Sequence, residues 1–458
     1  MSGNGVSDTG TVPAYVPPAP KALGFPANLA RLVKNNLGII PEAAYEQPLV
    51  MTDSFPKMAF ITGPEFVETV LKRKAADFPK GRLQNETLEP LFGNAMISSE
   101  GHDWKWQRAI TAPLFRHDEL LRYVPVMRQS ADEQIAAWKA EGGTGYRAIN
   151  RDMFRVAFSV ISRTMLEGGA DDVIKVIETG HAAYFGHVNW WILYKMLGLP
   201  GWLPRPGGSV MRLQEKKIHE AVTSLVRSRK AEAETGDDLL ARLVRGRDPE
   251  TGEGMSDERL INNIIAFLVA GYDTTALALS WALYLLSLNP VWAERARAEV
   301  TRVAGDSPIG PEHLNDLKVV EQILNETLRL YPTAPIVVRD ILEDADFGGA
   351  IVPKGTIGMV PIYAIHRHRS FWQEPNRFDP ARFDPETGSK PNRYQFLPFG
   401  AGPRICLGAA FTMIEAKVIL ATFLREARFE LKPGYMAEPV GQMFLTMRED
   451  IPMRVTWN

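Results

Sequence analysis

The sequence predicts a mainly α-helical protein with a small β region, and three observations predict it. Apolar residues recur at helical spacing along most of the chain. The longest such stretch follows Ser256 and ends before Pro290, which at 1.5 Å per residue makes a helix of roughly 50 Å. Strand-like pieces are short and clustered. We therefore expect one large helical body with minor sheets.

The overall composition is that of an ordinary globular protein. Hydrophobic residues make up 45% and charged residues 23% of the 458 residues, with a formal net charge of −2. This balance gives no sign of nucleic-acid binding. The single cysteine excludes an internal disulfide and an in-chain four-thiolate cluster. It fits a reducing compartment, so we expect a cytoplasmic protein.

The N-terminal segment "MSGNGVSDTGTVPAYVPPAP" is rich in glycine, serine and proline. It has no apolar core of a signal peptide, and the first basic residue is Lys21. We therefore expect a flexible arm over residues 1–20, and neither a signal peptide nor a membrane anchor.

The first regular elements are predicted from short patterns. "FPKMAFITG" is strand-like, and "TGPEFVETVLKRKAADF" has Thr62 as a candidate N-cap and Pro64 in the first turn of a helix. In the C-terminal third, "DFGGAIVPKGTIGMVPI" places turn glycines between β-branched residues, which predicts further strands.

The long helix is apolar enough between residues 264 and 288 to suggest a membrane span. However, Asp273 and two threonines stand near its middle, and an unpaired carboxylate inside a bilayer would be costly. A core helix of a large soluble protein is the better interpretation. The polar group in its middle then needs a functional reason.

The segment "FGAGPRICLG" holds the only cysteine, Cys406. A lone cysteine is most often a small buried hydrophobe. Here glycines flank it and a predicted helix follows, whose N-terminal N–H groups would stabilise a thiolate, the form that binds metal. A dinucleotide-binding loop would need glycine or alanine where Ile405 stands. A nucleophilic cysteine assisted by one of the eight histidines stays open.

This segment resembles the haem-binding signature of the cytochrome P450 family. The resemblance implies that Cys406 is the axial thiolate ligand of a haem b. It also implies that Phe399 packs near the sulfur, that Arg404 pairs with a haem propionate, and that Gly408 completes the signature.

Two further segments resemble the charged network of the family. "ETLR" supplies Glu326 and Arg329 on one helix face, and "PARF" supplies Arg382. The resemblance implies that these three residues form a buried Glu-Arg-Arg cluster. Ala381 stands where the family usually has glutamate, a departure that leaves the arginine in place.

Two other segments supply implied propionate partners. "WKWQR" resembles the tryptophan-to-arginine signature of the family, with Trp104 and Arg108 one helical turn apart. An amphipathic basic helix is the alternative. "VVRD" offers Arg339, whose planar guanidinium suits a carboxylate.

"AGYDTT", residues 270–275, resembles the oxygen-activation motif of the family. The long helix is then expected to cross the distal haem face, with Gly271 loosening the helix locally. Thr274 would hydrogen-bond the bound oxygen, and Asp273 would import protons from solvent. The alternative is that these polar residues merely bend the helix.

The substrate pocket that the resemblance implies is apolar, although each of its residues could be plain core. The predicted lining residues are Phe92, Met96, Ala266, Phe267, Ala270, Ile336, Val337 and Phe444. They favour a hydrophobic substrate such as a terpenoid, a steroid, a fatty acid or an aromatic compound.

The motifs predict a single catalytic domain over residues 21–458, monomeric and without a fused flavin or NADPH domain. The favoured function is a haem-thiolate monooxygenase that uses O2. Electrons would come from a ferredoxin and its NAD(P)H-dependent reductase, or from a flavodoxin, with Lys105, Arg116 and Arg122 among the basic residues that steer an acidic partner. A haem-thiolate peroxygenase or isomerase and a non-catalytic haem sensor or carrier are the alternatives.

The aromatic segment "NWWILYKMLGLPGWLPRPGG", residues 189–208, lies where the family has its lid. A mobile lid, a patch that touches a partner or a membrane, and a packed cover are all compatible with it.

Overall fold

The described part of the chain is mainly α-helical with small sheets, which confirms the predicted fold class. A computed structural model describes residues 12–20, 25–52, 56–142, 145–166, 171–200, 202–230, 236, 238–248, 250–386, 388 and 391–458.

The helices account for most of the described residues. They are α1 (Phe25–Lys34), α2 (Pro64–Glu68), α3 (Arg82–Phe92), α4 (Gly101–Thr111), α5 (His117–Leu120), α6 (Val124–Ala140), α7 (Ile149–Leu166), α8 (Asp171–Phe185), α9 (Val188–Met196), α10 (Gly208–Lys230), α11 (Leu239–Arg245), α12 (Asp257–Leu288), α13 (Pro290–Ala304), α14 (Lys318–Leu330), α15 (Ile362–Ile365) and α16 (Ala409–Glu426).

The strands form one four-stranded sheet and smaller pairings. They are β1 (Leu49–Met51), β2 (Met58–Ile61), β3 (Arg147–Ala148), β4 (Val337–Asp340), β5 (Ala345–Phe347), β6 (Ala350–Val352), β7 (Ile357–Val360), β8 (Ala427–Leu431), β9 (Pro439–Gly441), β10 (Leu445–Met447) and β11 (Pro452–Trp457). The four-stranded sheet has the order β1-β2-β7-β4, in which β2 and β7 are parallel. The strands predicted in residues 55–63 and 346–362 are therefore confirmed.

Helix α12 is the central element of the main hydrophobic core. The Ser256 hydroxyl accepts a hydrogen bond from the backbone N–H of Arg259 at 3.3 Å, and the helix ends before Pro290, as predicted. Among the described helices, α12 is long and apolar enough to cross a membrane, but 78% of its most apolar stretch is buried inside the protein. Its apolar surface is thus covered by other parts of the same chain.

The close packing of α12 on α7 depends on Gly271. A Cβ at this position would lie 2.9 Å from Cδ1 of Ile161. The helix is continuous from residue 257 to residue 288, so Gly271 does not interrupt it. The glycine instead allows a neighbouring helix to approach closely.

Part of the predicted flexible arm packs on the body of the protein. Residues 1–11 lie outside the described residues, but the backbone N–H of Val16 donates to the Tyr363 hydroxyl at 2.9 Å. The Tyr331 hydroxyl donates to the Ala14 carbonyl at 2.6 Å. These bonds satisfy buried tyrosines and hold this stretch against the body of the protein.

The helix after β2 begins one residue later than expected. Gly63 is its N-cap and Pro64 its first residue. The Thr62 hydroxyl donates instead to the Gln47 carbonyl, so the N-cap prediction for Thr62 is wrong.

Candidate active site

The loop before α16 holds Cys406 in a defined turn. The backbone N–H of Cys406 donates to the Phe399 carbonyl at 2.9 Å. Gly402 has a φ of +71°, and a Cβ there would come within 1.8 Å of the Leu71 carbonyl oxygen. Glycine is required at this position because the loop presses directly against another backbone segment. Gly408 is the N-cap of α16, so the cysteine lies two residues before the helix cap.

The Cys406 thiol borders open space although protein surrounds it. The residue is exposed, yet burial raises the pKa of its thiol, while the Gly408 backbone N–H and the Arg108 guanidinium lower that pKa. A thiol beside an internal space explains both observations, since a cysteine on the outer surface would not be desolvated. Burial thus disfavours the thiolate, whereas the Gly408 N–H and Arg108 favour it. A cation bound at the sulfur would favour it.

One face of α12 is also open. Between residues 262 and 286 every position is buried except Phe267, Ala270, Gly271 and Thr274. Their spacing puts these four residues on one side of the helix. The Thr274 hydroxyl donates to the Ala270 carbonyl at 2.9 Å. The middle of the core helix is therefore partly accessible along a single face.

Asp273 faces a second space. Its side chain is buried and lines a cavity of about 510 Å³, together with Tyr272 and Phe444. Arg151 and Arg155, which are exposed, form the outer wall of this cavity. Neighbouring residues of the polar cluster thus face different sides of α12: the carboxyl faces a cavity that reaches the surface, and the Thr274 hydroxyl lies on the inner open face.

The predicted pocket residues divide into two groups. Phe92 and Ala266 are buried in the core, and the other six are partly exposed: Met96, Phe267, Ala270, Ile336, Val337 and Phe444. Phe185, which the sequence analysis did not single out, joins two of them, because its ring centroid lies 6.4 Å from that of Phe92 and 6.0 Å from that of Phe444. The sequence feature that could have identified Phe185 is an aromatic residue at the end of a helix, just before the predicted lid segment.

The predicted propionate partners converge with a residue that sequence reasoning missed. Arg404 pairs with Glu100 and its guanidinium lies 3.9 Å from the Trp104 ring centroid. Lys80 forms a backbone bridge with Arg339, and its backbone N–H donates to Glu100 at 3.1 Å. The structure therefore brings together cations from three separate segments around the Glu100 carboxylate.

The cationic cluster of Lys80, Arg339 and Arg404 carries excess positive charge. Burial and the two arginines lower the pKa of Lys80 to about 7, although Glu100 opposes this shift. Burial lowers the pKa of Arg339 to about 10, with Arg404 adding to the effect and Glu100 opposing it. In this cluster three cations share a single carboxylate, an arrangement that favours binding of a further anion.

Arg108 connects α4 to the cysteine loop. Its guanidinium donates to the Ile405 carbonyl at 3.0 Å. Burial lowers the pKa of this guanidinium, and the Cys406 thiol raises it. Arg108 is thus close enough to act on the thiol, while Trp104, one turn earlier, stacks on Arg404.

The predicted Glu-Arg-Arg residues lie in contact. Arg329 and Glu326 form two hydrogen bonds, of 2.6 and 2.7 Å, and both side chains are fully buried. Arg382 lies 3.5 Å from the same carboxylate, and the backbone N–H of Asp379 donates to it at 2.8 Å. The carboxylate therefore holds two guanidinium groups and the turn that carries Arg382.

His366 links this cluster to the cysteine loop. Its carbonyl accepts a hydrogen bond from Arg329 at 2.8 Å, and its Nε2 accepts one from the backbone N–H of Leu397 at 2.7 Å. Burial and the nearby arginines lower the pKa of His366 to about 3. The imidazole is neutral at physiological pH, as an acceptor must be, and no motif in the sequence marked it.

Comparisons with known proteins identify the family of this chain. Residues 45–453 match the cytochrome P450 family. The chain is 30% identical over 432 residues to a cyclooctat-9-en-7-ol 5-monooxygenase of Streptomyces melanosporofaciens, covering 93% of this chain and 90% of that protein. It is 31% identical over 423 residues to an 11-oxo-beta-amyrin 30-oxidase of Glycyrrhiza uralensis, covering 87% of this chain and 78% of that protein.

The fold has a clear counterpart among solved structures. The crystal structure of the cytochrome P450DA heme domain superposes with a TM-score of 0.81, covering 97% of this chain and 98% of that chain at 24% identity. The shared architecture and the named relatives define an oxidoreductase of the monooxygenase class. The chain belongs to the cytochrome P450 family, which confirms the resemblance. The family implies a haem with a cysteine thiolate ligand and the use of O2.

Proposed function

We propose that this enzyme binds haem b through Cys406 and inserts one atom of O2 into a hydrophobic small molecule. The observation that carries the proposal is the open face of α12, where Phe267, Ala270 and Thr274 are partly accessible in an otherwise buried helix. An apolar wall with one hydroxyl suits an apolar substrate beside a site of proton transfer.

The described residues fit a haem. The Cys406 thiol is accessible, although it is desolvated, and the Gly408 N–H and Arg108 near it stabilise negative charge. A haem also carries two propionates, and the cationic cluster of Lys80, Arg339 and Arg404 has excess positive charge for carboxylates. Trp104 and Arg108 stand beside that cluster on α4.

Protons are proposed to cross α12 in two steps. The haem would supply O2 binding and activation. Asp273 takes up protons through the cavity that Arg151 and Arg155 connect to the surface. Thr274 passes them to the inner face, because the next residue on a helix points about 100° away. For this the Thr274 hydroxyl must turn from the Ala270 carbonyl, to which it donates here.

The proposed substrate is apolar and its identity is to be found by screening. Binding of a well-fitting compound should shift the ferric Soret band, because it displaces water from the haem. Two relatives are named for acting on cyclooctat-9-en-7-ol and 11-oxo-beta-amyrin. These two compounds head the screen, followed by steroids, fatty acids and aromatic compounds.

The proposed electron donor is a ferredoxin with its NAD(P)H-dependent reductase, and a flavodoxin is the second choice. Lys105 is exposed on α4, one turn from Arg108, which binds the carbonyl of the exposed Ile405. Arg122 adds an exposed basic side chain nearby in sequence. Basic groups beside the cysteine loop would steer an acidic partner. We further propose a cytoplasmic monomer, consistent with the single cysteine.

Replacing Thr274 should uncouple electron use from product formation. In Thr274→Ala we expect haem binding, substrate binding and NAD(P)H consumption to persist. Product per NAD(P)H should fall severalfold and released hydrogen peroxide should rise, because the proton donor on the inner face is lost. Proton-transfer groups typically contribute about 10²–10⁴-fold to the step that they assist. Oxygen, peroxide and product are measured together.

The conservative variant Thr274→Ser keeps a hydroxyl and should retain coupling. Asp273→Asn should slow turnover instead, since it removes the carboxylate of the proposed proton route. Unchanged coupling in Thr274→Ala would contradict the proton route and favour a peroxygenase or isomerase. Product formation that persists with added hydrogen peroxide and without an electron donor would also favour a peroxygenase.

Replacing Lys80 should weaken haem retention. We expect Lys80→Met to release haem about tenfold faster, the effect of losing one charge-assisted hydrogen bond. With a pKa of about 7 in this structure, Lys80 must take up a proton at higher pH to pair with a carboxylate. Haem affinity should therefore fall as the pH rises above 7, and it should fall less in the variant.

Haem transfer to excess apomyoglobin measures this release. Lys105→Met removes an exposed lysine of the same region and should leave the rate unchanged. Equal rates in the wild type and Lys80→Met would remove Lys80 from the propionate site.

A further inference from the structure

A second cavity lies under the lid segment, away from Cys406 and Asp273. It has a volume of about 310 Å³, at the lower end of the range for small-molecule sites. Its walls come from α3, α8, α9, α10 and the turn between α9 and α10. Within the lid segment, Trp202 is 80% exposed.

Three polar groups of this cavity's walls are buried without hydrogen-bond partners. They are the Tyr184 hydroxyl, the Trp191 Nε1 and the Arg205 Nε. Tyr184 as a residue is only 1% exposed. The Trp191 and Arg205 groups can only donate hydrogen bonds, and the Tyr184 hydroxyl can donate as well as accept. Leaving such groups unpaired is costly, so the cavity is suited to a ligand that accepts hydrogen bonds.

The charge of the cavity is suited to an anion. Arg205 and Arg212 line it with Glu215, while Lys195 is paired with Glu86 at 2.7 Å. Burial raises the pKa of Glu215, opposed by His219 and Arg212. The cavity thus has more positive than negative side chains on its walls.

The remaining walls are apolar or aromatic. The Arg205 guanidinium lies 3.3 Å from the Trp191 ring centroid, which holds its planar group in place. Leu199, Pro200 and Met211 lie on the same cavity. A flat hydrophobic body carrying one carboxylate would satisfy these walls and the donors together.

We propose that this cavity is a binding site for small aromatic carboxylates, separate from the substrate pocket. The carboxylate accepts from Arg205, Trp191 and Tyr184, and the ring packs on the apolar walls. The next residue after Tyr184, Phe185, lines the cavity of Asp273, and their ring centroids are 5.3 Å apart. The site is therefore one helix layer from the catalytic cavity, a position suited to an effector.

The test uses 2-naphthoate with the haem-loaded full chain. Equilibrium dialysis should show one molecule bound per chain without a shift of the ferric Soret band. The neutral analogue 2-naphthamide should bind at least several-fold more weakly. Arg205→Met should weaken 2-naphthoate binding about tenfold or more, and Tyr184→Phe by about threefold to tenfold.

The matched control is Arg227→Met, which removes an exposed arginine of α10, the helix that follows Arg205, and should bind as the wild type does. The carbonyl spectrum of each variant reports that the haem site is intact, since none of these residues belongs to it. Three results would overturn the proposal: no binding, binding with a Soret shift that marks the substrate pocket, or equal binding in Arg205→Met and the wild type. The uncoupling assay on Thr274 tests the proposed function, and its outcome does not depend on any of these three results.

Discussion

Cys406→Ser should abolish the strongly red-shifted Soret band of the ferrous carbonyl complex and monooxygenase turnover with it. The chain has a single cysteine, so no other thiolate of the chain can replace it. A serine hydroxyl is far less acidic than a thiol and donates less electron density to iron. We expect at least a thousandfold loss of turnover, in line with removal of an essential catalytic group.

The measurement is the carbonyl difference spectrum, with haem content determined separately. Ile405→Ala changes the exposed neighbour and should keep the thiolate spectrum, since Arg108 binds the backbone carbonyl at that position. A thiolate spectrum in Cys406→Ser would exclude this cysteine as the ligand.

Glu326→Gln should prevent folded, haem-loaded protein from accumulating. The Glu326 carboxylate is the shared partner of Arg329 and Arg382, and it and Arg329 are fully buried. Removing one partner of a buried ion pair costs about 3–5 kcal/mol. That is a large part of the roughly 5–15 kcal/mol by which a typical protein is stable.

Urea unfolding and the haem content per chain test this expectation. Glu321→Gln is the matched control, because Glu321 lies on the same helix and its ion pair with Lys417 is half-exposed on the carboxylate side. Such a surface pair contributes about 0–1 kcal/mol. If both variants lost the same free energy of unfolding, burial of the Glu326 cluster would not explain the loss.

The elements that the sequence predicted well have local causes. Ser256 and Pro290 limit α12 through capping and through the missing proline N–H, both of which act within a few residues. The cysteine loop was also predicted from local sequence, because the motif that identifies it is one contiguous segment. Thr62 failed as an N-cap because its hydroxyl found a distant carbonyl, that of Gln47, which no local pattern contains.

The sequence by itself thus determined the fold class, the family, the long core helix and the residue types of the site. Only the tertiary structure decided that Lys80 joins Arg404, more than 300 positions away, and that His366 holds the segment before the cysteine loop. It also decided that Asp273 and Thr274 face different spaces. The physical reason is that charge excess and accessible space depend on which segments meet across the core, whereas periodicity and capping depend only on neighbours along the chain.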